Sequence, residues 1–192
     1  MCGTTSQINI AINECKHLLI MISPERIRDE FIKGIKSSKS ITRFLGMLKE
    51  FNIFDFILPN LKVGQYVEEK NIPILLAYLL KSNDPQLIRR TLKNLKYTSD
   101  EIGKVYFLTS FKNFEPEMVY NTKKSQLLSK LTNEEILRFA ELTNMDIELV
   151  NKFLDFNLTV TGEDIEKLGI KPGPEMGRKI KELELENFLK TL

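Results

Sequence analysis

The run Leu168-Gly169-Ile170-Lys171-Pro172-Gly173-Pro174-Glu175-Met176-Gly177-Arg178 writes a helix stop, a rigid turn and a helix start in succession. Gly169 suits the left-handed position that closes a helix, and Pro174 suits the first helical position, where a missing N–H costs nothing. The backbone N–H groups that follow have no partner inside the helix, and the positive end of the helix dipole stands behind them. With Lys171, Arg178, Lys179 and Lys181 beside it, and open backbone at Gly173 and Gly177, the turn has the chemistry of a phosphate seat. The plainer alternative is a Gly-Pro turn that only joins two helices of a packed domain.

A second group of cations lies in the middle of the chain. From Leu61 to Lys130, ten Lys and two Arg face seven acids, a net of +5, whereas Leu131 to Leu192 carries a net of −5. Arg89, Arg90, Lys93 and Lys96 precede Tyr97, with Lys104 following. These cations suit the neutralisation of RNA phosphates, and Tyr97 is expected as a stacking face. Basic surface residues are common in any soluble protein, so this alone does not define an RNA site.

Catalytic chemistry is not expected. Two-metal nucleotide transfer needs paired carboxylates that hold Mg²⁺ against a triphosphate, and no Asp-x-Asp occurs. Glu134 with Glu135, and Glu163 with Asp164, stand at helix starts, while Glu182, Glu184 and Glu186 read as a solvated helix face. Cys2 and Cys15 have no metal or disulfide spacing, and His17 stands alone. Neither a catalytic residue nor a metal ligand is therefore assigned.

The elements that must position these groups are helices. Ile8, Ile12, Cys15, Leu19 and Ile22 recur at three- and four-residue steps. Ser23 caps, and Pro24 opens, a helix to Ile35; another runs from about Ser40 to Phe51, followed by an apolar stretch from Ile53 to Leu58. Ile72 to Leu80 is nearly all apolar and reads as a central buried helix. Asp84 and Pro85 start a helix ending near Leu95, and Thr98 or Ser99 opens the next. Later helices are expected over 123–131, 133–143, 146–156, 162–168 and 174–189. The fold class is all-α, an elongated multi-helix bundle array. The 192 residues, 42% of them hydrophobic, suffice for a buried core, and no apolar run or leader-like N-terminus suggests a membrane span or secretion. A soluble protein of a reducing, cytoplasmic compartment is expected.

The string from Thr161 to Leu183, TGEDIEKLGIKPGPEMGRKIKEL, resembles the C-terminal signature of the class II tRNA nucleotidyltransferases, the CCA-adding enzymes. Ile22-Ser23-Pro24-Glu25-Arg26-Ile27-Arg28-Asp29-Glu30-Phe31 resembles the segment that closes the neck of those enzymes, and Leu92 to Ile102 is similar to a helix-turn-helix of their body. The three matches are collinear. Family members begin with a catalytic head bearing Gly-Ser, Asp-x-Asp and Arg-Arg-Asp strings, then Glu-Asp-x-x-Arg in the neck; none of these occurs here.

The resemblance implies a neck remnant over 1–36, a body over 37–131 and a tail over 132–192, with no head nucleotidyltransferase sheet. It implies that Ser23, Glu25, Arg26 and Glu30 support a nucleotide-recognition helix; the simpler alternative for Arg26 and Glu30 is an exposed ion pair worth about 0.3 to 0.5 kcal/mol. It also implies a tRNA partner, gripped at the acceptor and T arm and the elbow, and a head-domain polypeptide that holds Mg²⁺ and CTP or ATP. No cofactor is expected in this chain, and no transfer by it alone. The alternatives are a free-standing tRNA-binding module and a helical protein-interaction scaffold. A second copy is one candidate cover for the apolar faces of the first two helices. CCA, CC or A addition, and the role of residues 1–7, stay open.

Overall fold

A computed structural model describes residues 10–192, and among these every regular element is helical, with no strand. The all-α expectation holds. Ile8 and residues 1–7 lie outside the described residues. Packing divides the chain into two compact units between Thr109 and Ser110. The neck, body and tail partition is a different one, made by motif.

The first unit opens with helical turns over 10–15 and a 3-10 helix, Lys16–Met21. It continues through α1 (Pro24–Ser37), α2 (Ile41–Glu50), α3 (Phe54–Ile57), α4 (Ile72–Leu80), α5 (Pro85–Asn94) and α6 (Ser99–Phe111), the last running across the division. Side chains start most of these helices. Ser23 Oγ accepts from the Arg26 amide at 3.4 Å, Asn71 Oδ1 from Ile74 at 3.2 Å and Asp84 Oδ2 from Leu87 at 3.0 Å. Thr98 and Glu101 cap α6 reciprocally, each side chain bonding the other's backbone N–H. As its composition requires, α4 is buried along nearly its whole length, Ile74 to Leu80 included. On α1, Gly34 leaves room for the Phe44 ring of α2, which a Cβ there would strike.

The chain from Leu61 to Asn71 has no regular structure, so its polar groups need other partners. Asn83 closes two hydrogen bonds with the Lys62 backbone, both 2.8 Å, and the Gly64 amide donates to Leu79 O at 2.7 Å. Glu68 does more. Its carboxylate accepts from Ser40 Oγ at 2.8 Å and from the amides of Ile41 and Thr42 at 2.9 and 3.0 Å. A residue far along the chain thus joins Ser40 in capping α2.

The second unit contains a 3-10 turn (Pro116–Met118), α7 (Val119–Ser129), α8 (Asn133–Leu142), α9 (Ile147–Asp155), α10 (Gly162–Lys167) and α11 (Pro174–Leu189). Its core is aromatic: Phe114 lies 4.7 Å from Phe153 and 6.1 Å from Phe188, whose other neighbour is Phe156 at 5.2 Å. Lys123 is buried beside it, donating to Leu154 O at the end of α9 (3.0 Å) and to Gln126 Oε1 (3.2 Å). Burial pushes its pKa down, and Asp155 opposes the shift. The start of α7 precedes the expected Lys123 because the helix grows out of the 3-10 turn, with no side-chain cap to announce it.

Hydrogen bonds from Ile41 and Thr42 hold the Glu68 pKa down to about 2, against 4.5 ordinarily. A depressed carboxylate contributes stability that is present above its unfolded pKa and is lost as pH falls through the folded value. Thermal melts between pH 5 and pH 2 should show a steep acid loss, and Glu68→Gln should make that limb shallower. An unchanged limb would remove Glu68 as its source.

Candidate nucleic-acid interface

The tail turn is built between two helix ends. Thr161 Oγ1 accepts from the Asp164 amide at 3.3 Å, and the Asp164 carboxylate accepts from Thr161 N and Oγ1 at 3.0 and 2.6 Å, starting α10 with a reciprocal cap. The Thr161 hydroxyl, followed by its backbone, lowers the Asp164 pKa. At the other end Gly169 adopts φ +83°. Gly169 N donates to Glu166 O at 2.8 Å and Ile170 N to Ile165 O at 3.4 Å, the paired bonds of a left-handed helix stop.

Pro174 then opens α11 behind Gly173, which has extended backbone and no side chain to cap with. The first-turn donors therefore meet no capping side chain. Lys171, Gly173, Arg178 and Lys181 are exposed, Gly177 and Lys179 half-buried. Lys171 and Arg178 have no partner among the described residues. Lys179 pairs with Glu182 at 3.0 Å, and Lys181 Nζ lies 5.9 Å from the Tyr120 ring centre, which Lys124 also approaches, at 4.5 Å.

Glu184 holds this substructure together. It is fully buried, and its Oε1 accepts from the amides of Thr159 and Val160, both at 2.6 Å, fixing the chain that enters α10 against α11. Its Oε2 is buried without a partner. Glu184 is thus not part of the solvated face expected from its acidic neighbours. Spacing could have said so, since Glu184 lies four residues before the buried Phe188 on one helix face.

In the middle of the chain, Arg89, Arg90 and Lys93 are exposed on α5, and Lys96 in the turn after it. The Arg89 guanidinium lies 5.5 Å from the Tyr106 ring centre. Tyr97 departs from expectation: it is 6% exposed, its hydroxyl is buried without a partner, and burial pushes its pKa up. The turn is the reason. Lys96 takes φ +61°, Lys96 N bonds Lys93 O and Tyr97 N bonds Leu92 O, so Tyr97 occupies the position that folds back onto the helix. Its ring packs inward and offers no stacking face.

Ser23, Glu25, Arg26 and Glu30 all stand exposed on the first turns of α1. The Arg26–Glu30 ion pair does not form; Glu30 pairs with Lys33 at 3.8 Å instead. A neighbour that spacing did not single out matters more. Arg28 grips Asp29 through Nε at 2.9 Å and Nη2 at 2.7 Å, and its Nη1 donates to Lys96 O. It ties α1 to the basic turn. No local pattern announces a bond between residues so distant in sequence.

Arg26 and Glu30 also border an apolar groove of about 380 Å³ lined by Ile22, Ile27, Phe44 and Leu48. Exposed Ile20 and Met21 stand close in sequence to its Leu19 and Ile22 walls. No group of three or more His, Cys, Asp or Glu converges as a metal site among the described residues, and no described helix is long and apolar enough to cross a membrane.

Residues 5–64 match the family model described as "Probable RNA and SrmB- binding site of polymerase A", of which residues 10–64 are described structurally. The chain therefore carries a region of the poly(A) polymerase RNA-binding type, and Ser23, Glu25, Arg26, Glu30 and the groove fall inside it. The turn at Lys96 and the tail turn lie beyond it. No curated protein and no solved structure matches the chain significantly.

Two substitutions test the tail architecture. Beyond its chain neighbours, nothing lies within 4 Å of where a Cβ on Gly169 would project, so Gly169→Ala isolates backbone strain and should cost about 1 kcal/mol in denaturant melts. Glu184→Ala strands two amides and should cost about 2 kcal/mol, whereas Glu184→Gln keeps one acceptor and should cost less. Equal losses for Ala and Gln would contradict the clamp.

Proposed function

We propose that this chain is the RNA-gripping neck, body and tail portion of a CCA-adding tRNA nucleotidyltransferase. The carrying observation is the polymerase A RNA-binding match over 5–64, collinear with the tail signature that resembles the same enzymes. Tail geometry supports the reading: an uncapped α11 N-terminus stands beside Lys171 and Arg178, which have no partner among the described residues. Those donors and cations would take phosphates at the tRNA elbow, reading shape and not sequence. Arg90, Lys93 and Lys96 would take phosphates of the acceptor and T arm.

Nucleotide transfer would belong to a head domain, whether on a longer form of this chain or on a separate polypeptide. Mg²⁺ and CTP or ATP would sit there, as the resemblance to the CCA-adding enzymes implies. The apolar groove bordered by Arg26 and Glu30 would seat the neck element that carries nucleotide recognition. The compartment would be the cytoplasm.

A free-standing RNA-binding module is the reading that the same observations next support. Gel shifts with tRNA and transfer assays with labelled ATP, run with and without a head-domain polypeptide, separate the two. The proposed enzyme portion binds tRNA alone, transfers nothing alone, and supports transfer once the head is added. Binding with no complex and no transfer upon head addition would leave the free-standing module. Lys171→Glu with Arg178→Glu should weaken tRNA binding about tenfold or more; undiminished binding would remove the tail contact.

A further inference from the structure

We infer that the first unit holds a pocket for a single unstacked RNA base carrying an exocyclic amino group. This rests on the RNA-binding reading above and deepens it. The pocket, of about 360 Å³, opens between the end of the 3-10 helix, α3 with the turn after it, and the C-terminal half of α5. That volume lies at the small end of ligand sites and suits a heterocycle better than a duplex.

Its walls and rim have different chemistry. Ile22 and Phe56 supply apolar surface for the faces of a ring. Asn60 and Asn94 stand exposed at the rim, and neither side-chain amide has a partner among the described residues. Each amide can donate and accept side by side, the pattern that reads a base edge. The Asp55 carboxylate also lines the pocket. It repels a phosphate but accepts from an amino group, so the ligand is a base and not the backbone, and adenine, cytosine and guanine are favoured over uracil.

The backbone has its own place outside. Arg90 precedes Asn94 by four residues, is exposed, and so lies on the same side of α5. It stands where the phosphate of the entering nucleotide would pass. RNA is read in sequence mainly through such splayed bases, and the pocket would give a shape-reading surface one point of base discrimination.

The test uses the whole chain and short fluorescein-labelled oligo(rA), oligo(rC) and oligo(rU), followed by fluorescence anisotropy. Wild type should bind oligo(rA) and oligo(rC) about tenfold more tightly than oligo(rU). Asp55→Asn, nearly isosteric, and Asn94→Leu should each bring the three together, with thermal melts unchanged because both side chains are exposed. Arg90→Glu should weaken all three alike. Equal binding by wild type, or a preference that survives Asp55→Asn and Asn94→Leu, overturns the pocket and leaves RNA binding standing. A wild-type chain that binds no RNA overturns both.

Discussion

Every helix end leaves backbone donors or acceptors without partners, and in a chain made of short helices this constraint governs the structure. Side chains from Ser23, Ser40, Asn71, Asp84, Thr132, Asp146 and Thr161 meet it at helix starts. Left-handed residues Asn52, Lys96, Asn144 and Gly169 meet it at helix stops. Glu68 and Glu184 extend the same solution over long sequence separations, each turning a carboxylate onto adjacent amides. The starts of α3, α7 and α11 have no such side chain. At α11 the chain enters through the extended backbone of Gly173 beside Lys171 and Arg178, and under the proposed function an external anion would complete the pattern there.

The same constraint explains what could be read from residues alone. Starts marked by proline were legible: Pro24, Pro85 and Pro174 open helices whose observed first residues agree with expectation. The buried α4 followed from an almost unbroken apolar run. The α7 start was not legible, because it grows from a 3-10 turn that has no capping residue. Tyr97 departs from expectation for a related reason. Its basic neighbours suggest exposure, whereas a helix stop with Lys96 in the left-handed position turns the next residue inward. Glycine would have advertised such a stop; lysine hides it. Long-range partners such as Arg28 with Lys96, or Glu68 with Ile41, leave no local mark.

For the candidate site, residue types were legible and engagement was not. Lys171, Arg178, Lys179 and Lys181 share one island of positive charge in an acidic part of the chain. Folding separates them into two cations without a described partner, one ion-paired to Glu182 and one beside Tyr120. Exposed charges of this kind contribute little to stability, about 0 to 1 kcal/mol per pair, so the fold does not depend on them; under the proposed function they meet phosphates from outside. The polymerase A match covers another part of the chain, and Arg28 links that part to the basic turn after α5. Within the first unit, the recognised RNA-binding region and the basic turn are thereby one piece of architecture.

Under the proposed function this chain binds folded RNA through phosphate contacts made by few cations and backbone donors. The most direct measurement is the affinity of the whole chain for tRNA across a salt titration. Measurable binding at low salt is expected, with a linear fall of log K with log salt whose slope reports on the order of three or more displaced counterions. Binding that is absent, or that is present but indifferent to salt, would contradict it.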